Sequence, residues 1–182
     1  TGSGQTSALF NGGPDEDQAE SVIKHLCEVL VELHSCSIDK IDPDGALTDP
    51  FHRGIDIKSW DAFMDSTIEF FESSYTSLNY DPMLMIALDA IYSLRRNKPR
   101  PMPLAIVHGD FNPANFLYEN GQVSALIDWE ASRVGDPRED LGWMVLMDVV
   151  SDAHVMDYPK KEGGFLAYYN KLTGNDITPE EL

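Results

Sequence analysis

Basic residues are scarce in this chain: 13 Lys and Arg stand against 31 Asp and Glu over 182 residues, a formal charge of −18. Binding to nucleic acid rests on Lys and Arg at phosphates, so this balance argues against a nucleic-acid partner. Cysteine is scarce too. Cys27 and Cys36 are too few for a disulfide framework, no paired Cys or His spacing suggests zinc, and both read as reduced packing residues. No apolar run approaches the length of a bilayer span, and the first residues lack the basic-then-apolar pattern of a secretion signal. The expectation is a soluble cytoplasmic protein with no membrane partner. A phosphate-cradling loop is also missing. Gly2-Ser3-Gly4-Gln5-Thr6-Ser7 mimics one loosely, but no strand precedes it, its final glycine is absent, and no Gly-Lys-Ser/Thr follows.

What is present is a core-forming composition, 42% apolar and of single-domain length. The acidity fits a cationic substrate, or it serves solubility or a saline habitat. Residues 1–14 are rich in Gly, Ser and Thr and read as a connector. From Asp15 or Asp17 to His34, Val22, Leu26, Val29, Leu30 and Leu33 recur at helical spacing behind an acidic first turn. His34 at its end reads as a packing residue rather than a ligand. Residues 35–57 form a long loop, a kind that is often functional. Ser59 caps a helix predicted to reach Leu78, with an aromatic cluster including Trp60, Phe63, Phe70 and Phe71 for its core. Asp81-Pro82 opens another helix that ends near Arg96, where Arg95, Arg96, Lys98 and Arg100 offset the helix dipole. A strand over 104–107, a helix over 138–150 containing Leu141, Trp143 and Met144, and a helix over 164–172 complete the prediction. No internal repeat occurs.

The chemistry concentrates in residues 108–130. Asn120-Gly121 between two runs of branched and aromatic residues signals a two-residue hairpin, since both turn positions need φ > 0. Regular pairing sets Glu119 opposite Gln122, Leu117 opposite Ser124 and Asn115 opposite Leu126. Leu126 and Asp128 then share the face of Asn115, so an amide oxygen and a carboxylate converge at the open end of the hairpin. Hard oxygen ligands of this kind suit Mg²⁺, which draws its remaining ligands from water and phosphates. Asp110 precedes the pair in a loop punctuated by Gly109 and Pro113, a position for a base or orienting group acting on a hydroxyl. Asp and Asn in loops also serve simply to hydrogen-bond the local backbone.

His108-Gly109-Asp110 with Asn115, then Ile127-Asp128-Trp129-Glu130, Gly135-Asp136-Pro137 and Asp140-Leu141, together resemble the aminoglycoside phosphotransferase family. This group of protein-kinase-like small-molecule phosphotransferases also includes the choline kinases. The resemblance implies an α+β, mainly helical fold: the C-terminal lobe of a kinase-like protein, with a catalytic loop and hairpin packed on helices. It implies that residues 1–14 lie near the hinge and that 15–182 form the helical lobe, with the N-terminal lobe absent. It further implies that Asp110 is the catalytic aspartate, that Asn115 and Asp128 hold Mg²⁺ on the nucleotide, and that Leu117 and Ile127 lie beneath the adenine of ATP or GTP. His108 braces the loop and Asp140 anchors it from the following helix. His-Gly-Asp replaces the His-Arg-Asp of protein kinases, and Asp-Trp-Glu replaces Asp-Phe-Gly; both changes fit small-molecule enzymes. Inserts in the helical lobe shape the acceptor pocket in related phosphotransferases, which makes Asp56 and Trp60 candidate contacts.

The implied reaction moves the γ-phosphoryl group of a nucleotide to a hydroxyl of a small molecule. The Asp-Trp-Glu and Gly-Asp-Pro pattern also resembles the phosphotransferase domains attached to acyl-CoA dehydrogenases, whose acceptors are hydroxylated acyl groups. Two other readings remain: a non-catalytic, pseudokinase-like binding module, and a metal-dependent hydrolase built on Asp110 and Asp128. Thr178-Pro179-Glu180-Glu181 announces a helix start one residue before the sequence stops. The expectation is therefore a piece of a longer protein, truncated at both ends and inactive by itself.

Overall fold

The computed structural model describes residues 16–76 and 82–182; the predicted connector and the Asp81 cap lie outside the described residues. Among the described residues are ten α-helices and β-strands, besides four short 3-10 turns. The ten are α1 (Glu16–His34), α2 (Ile38–Ile41), α3 (Trp60–Thr76), α4 (Pro82–Arg96), β1 (Ala105–Val107), β2 (Phe116–Glu119), β3 (Gln122–Leu126), β4 (Arg133–Gly135), α5 (Arg138–Ser151) and α6 (Phe165–Thr173). None of the described helices is long and apolar enough to cross a membrane.

Helix α1 forms because Glu16 and Asp17 favour its positive N-terminal end and its apolar residues recur on one stripe. Val22, Ile23, Leu26, Cys27 and Leu30 on that stripe are fully buried. They pack against α6 and the β2–β3 hairpin, in one core with Phe111, Phe116, Leu141, Met144, Phe165 and Tyr169. Burial at this level stabilises by about 1.5–3 kcal/mol for each large side chain. A second, smaller core of Trp60, Met64, Ile68 and Ile91 lies between α3 and α4. A buried polar knot joins it to α5: Trp60 Nε1 donates to Asp136 Oδ2 at 2.9 Å, and Asp136 binds Arg138.

Strand β1 pairs antiparallel with β4, from Ala105↔Gly135 to Val107↔Arg133. The β2–β3 hairpin closes through Asn120 and Gly121 at φ of 53° and 78°, as its turn type demands. Its turn is docked on α1, where Ser21 Oγ donates to the Gly121 carbonyl at 3.0 Å and Val123 N donates to His25 Nδ1 at 2.9 Å.

The expected regular register is corrected beyond the first two pairs. Tyr118 faces Val123, but Leu117 faces Ala125 and Phe116 faces Leu126, which leaves Ser124 as an extra residue in a bulge. The reason is the apolar pattern. Val123 and Leu126 are both drawn to the core, yet an odd separation of three positions sets them on opposite faces of a regular strand. One extra residue between them turns both inward, and Ser124 stays exposed.

Candidate active site

Strand β1 delivers the chain into a loop whose backbone is gripped from α5. Asp140, fully buried, accepts the N–H groups of His108 and Gly109 at 2.8 Å each, on separate oxygens. Its Oδ2 also accepts from His34 Nε2 at 3.1 Å, and Tyr169 OH pairs with His34 Nδ1 at 2.8 Å. The end of α1 and helix α6 therefore support the same carboxylate. Gly109 sits at φ +80°, where a Cβ atom would lie 2.2 Å from the Ala131 carbonyl oxygen. A glycine is required there by both backbone and space.

His108 spans the loop and the end of the hairpin. The backbone N–H of Asp110 donates to its Nδ1 at 3.3 Å, so the ring proton lies on Nε2 and is given to the Ile127 carbonyl at 2.9 Å. Trp129 packs on this imidazole with ring centres 4.6 Å apart and donates its own N–H to the Leu126 carbonyl at 2.9 Å. The predicted bracing role of His108 and anchoring role of Asp140 thus correspond to direct contacts.

Asp110 is the one acid of the loop 108–115, and three side-chain donors hold its carboxylate. Its Oδ1 accepts from Asn112 Nδ2 at 2.9 Å and Trp143 Nε1 at 2.7 Å, and its Oδ2 accepts from Asn115 Nδ2 at 2.7 Å. Since Asn115 also gives a proton to the Asp110 carbonyl at 2.9 Å, its nitrogen is identified by two acceptors. Its side-chain oxygen points away from both and makes no hydrogen bond among the described residues.

Asp128 leaves the hairpin differently from the sequence expectation. The bulge turns Leu126 to the core and brings Ile127 opposite Asn115, with Ile127 N donating to the Asn115 carbonyl at 3.0 Å. Asp128 then leaves the strand in the left-handed region, φ 66° and ψ 59°. A non-glycine residue held there costs about 1–3 kcal/mol, a strain that clusters at functional sites. Its carboxylate is exposed and makes no hydrogen bond among the described residues. Leu117, Ala125 and Ile127 share the face of Asn115, and Ile127 is 37% exposed, so an apolar strip lies uncovered beside the polar end. The described residues hold no cluster of three or more His, Cys, Asp or Glu able to cage a metal by themselves.

Sequence reasoning missed Trp143. A signal was available: it lies three positions after Asp140, hence on the same helix face as the residue expected to anchor the loop. It also lines a cleft of about 350 Å³ together with Gly109, Arg133, Glu139, Gly142 and Leu146. Burial pushes the Glu139 carboxyl up from its ordinary value, against the pull of Arg133 and the Asp136 N–H. Trp60 corrects the opposite error. Its ring is buried and its N–H is taken by Asp136, so it is packing rather than an acceptor contact. Asp56 accepts the N–H of Lys58 at 2.9 Å and forms a local turn.

A kinase-like α+β fold carrying this loop and hairpin defines a class, and comparison gives the family. The model of the phosphotransferase enzyme family matches residues 3–174, and the chain belongs to that family. Acyl-CoA dehydrogenase family member 10 of Mus musculus is 26% identical over 138 residues, which is 74% of this chain and 12% of the mouse protein. Among solved structures, macrolide 2′-phosphotransferase MphH from Brachybacterium faecium superimposes with a TM-score of 0.58 at 20% identity, over 90% of this chain and 50% of that one. ADP-bound aminoglycoside phosphotransferase APH(2″)-Ib gives 0.52 at 21%, over 93% and 54%. At such identities these two likenesses show the fold. The chain spans about half the length of these structures and a small part of the mouse protein.

Proposed function

We propose that this chain carries the catalytic loop and metal-binding side of a phosphotransferase that moves the γ-phosphoryl group of ATP or GTP to a hydroxyl of a small molecule. The observation that carries the reading is the Asp110 carboxylate, oriented by three N–H donors, one of them from Asn115; Asp128 follows Ile127, whose N–H is bonded to the Asn115 carbonyl. The acceptor oxygen attacks the γ-phosphorus, the bond to the bridging oxygen breaks, the nucleoside diphosphate leaves, and the hydroxyl proton passes to Asp110.

The donor set fits Mg²⁺. Asn115 offers an amide oxygen and Asp128 a carboxylate, while water and phosphate complete the coordination of an ion that tolerates few protein ligands. When bound, the ion neutralises charge on the phosphates. The Leu117, Ala125 and Ile127 strip is the surface on which the nucleotide base would rest, and Asn115 would hold metal and Asp110 at once. The gripping of the remaining phosphates belongs to residues outside this chain, by analogy with two-lobed kinases. The isolated chain is therefore expected to bind nucleotide weakly and to turn none over.

The test is nucleotide turnover by the full-length protein with Mg²⁺ and a panel of aminoglycoside, choline-like and hydroxyacyl acceptors. Loss of turnover in Asp110→Ala and Asp128→Ala supports the assignment. Retained turnover in either variant refutes that residue's role. Mg-dependent nucleotide binding without transfer to any acceptor would mark a non-catalytic module, and phosphate release with no acceptor would mark a hydrolase.

A further inference from the structure

We propose that Trp143 is a positioning residue that fixes which oxygen of Asp110 meets the acceptor hydroxyl, an inference that rests on the phosphotransfer reading. Each carboxylate oxygen accepts through two in-plane lone pairs. Oδ1 uses both, one on Asn112 Nδ2 at 2.9 Å and one on Trp143 Nε1 at 2.7 Å. Oδ2 uses one, on Asn115 Nδ2 at 2.7 Å, and keeps the other open. The acceptor proton therefore has one place to go, the free lone pair of Oδ2.

The origin of the donors separates their roles. Asn112 and Asn115 belong to the loop that carries Asp110, so their bonds travel with it. Trp143 comes from α5, the helix whose Asp140 holds the loop backbone through His108 and Gly109. Trp143 is thus the link between the carboxylate itself and the framework, and it lies one helical turn beyond the link that holds the backbone. Indole N–H is a donor only, so Trp143 can neither take the proton from Asp110 nor compete as a base. Trp143 is 39% exposed and borders the cleft beside Gly109 and Leu146.

The experiment uses the full-length protein in four forms: wild type, Asp110→Asn, Asp110→Ala and Trp143→Phe. In ¹⁵N-labelled protein, the indole N–H resonance that Trp143→Phe removes must shift in Asp110→Asn, because the substitution changes the group it donates to. Phenylalanine keeps the ring and loses the donor. With ATP, Mg²⁺ and the best acceptor of the panel, or water where none is found, kcat in Trp143→Phe should fall about 10- to 100-fold. KM for ATP should stay at its wild-type value, a split that general loosening of the fold would not give. An indole resonance identical in wild type and Asp110→Asn overturns the proposal, since the bond is then absent in solution. Wild-type kcat in Trp143→Phe overturns it equally, leaving a contact with no positioning role. Turnover retained in Asp110→Ala is a different failure: it refutes the phosphotransfer reading itself.

Discussion

Asp140 and Gly109 meet at 2.8 Å, a fully buried carboxylate oxygen accepting the N–H of a glycine at φ +80°. The same carboxylate takes the N–H of His108 and the imidazole of His34. One side chain thereby ties α1, α5 and the end of β1 to the residue immediately before Asp110. The position of Asp110 is inherited from this buried bond, because the loop has no regular secondary structure of its own to hold it.

Asp140→Asn should be among the most destabilising single changes in the chain. An amide can replace one accepting oxygen, but its nitrogen then faces a donor in a fully buried site. Leaving buried partners unpaired costs about 3–5 kcal/mol. Urea unfolding measures this as a lower midpoint at unchanged slope. A loss under about 1 kcal/mol, the value of an ordinary hydrogen bond, would show that the loop is held by something else.

Gly109→Ala tests the loop from the other side. The left-handed backbone costs an L-residue about 1–2 kcal/mol, and the new methyl would collide with the Ala131 carbonyl, 2.2 Å away. Backbone, not a flexible side chain, has to yield. Asp110 moves with it, and a misplacement of about 1 Å lowers turnover on the order of 100-fold. Steady-state turnover of the full-length variant checks this; wild-type rates would mean that the loop relaxes without disturbing Asp110.

Asp136→Ala should cost about 3 kcal/mol, because it takes the nearest carboxylate from a buried guanidinium that keeps only Glu181 at 3.3 Å and the Arg100 carbonyl at 2.8 Å. Asp136 and Arg138 are both nearly inaccessible, and the carboxylate also satisfies the Trp60 N–H at 2.9 Å. Adding Arg138→Met should recover part of the loss, since the second substitution removes a buried charge left with a single, more distant carboxylate. Thermal or urea unfolding of the two single variants and the double variant gives the coupling. Strict additivity would contradict the pairing seen here.

The elements legible in the sequence are those written in local chemistry. The apolar stripe and acidic start of α1, the Ser59 cap of α3, the Asn120-Gly121 turn and the Thr178–Glu181 capping box all depend on residues within a few positions, and each lies where expected. The bulge at Ser124 was hidden because it answers to the core on which the hairpin packs. Strand β4 was hidden for a similar reason: Arg133-Val134-Gly135 is a strand only by virtue of β1, some thirty residues earlier. At the site, Asp110 and Asn115 meet through a direct hydrogen bond, a pairing that spacing did not specify, since it set Asn115 beside Asp128. Asp128 reaches its position through a left-handed turn that strand alternation does not describe.

Acid should loosen the C-terminal turn before it unfolds the core. The Thr178 N–H, against a burial penalty and with Arg100 and Arg138 beside it, holds the Glu181 carboxyl below the ordinary carboxylate range. A group depressed in the folded state binds its proton more readily when unfolded. Its contribution to stability is therefore complete above the unfolded glutamate value of about 4.3 and is lost as pH falls through the lower folded value. Asp49 behaves alike: burial works to raise it, but the N–H groups of Arg53, Gly54 and Ile55 outweigh that and lower it. The Thr178 amide resonance, followed from pH 7 downward, should therefore move only below the ordinary glutamate range. Glu181→Gln should abolish the transition, because its amide carries no titratable proton. A transition at or above about pH 4.3, or one that survives in Glu181→Gln, would show that Thr178 and the two arginines do not stabilise the carboxylate.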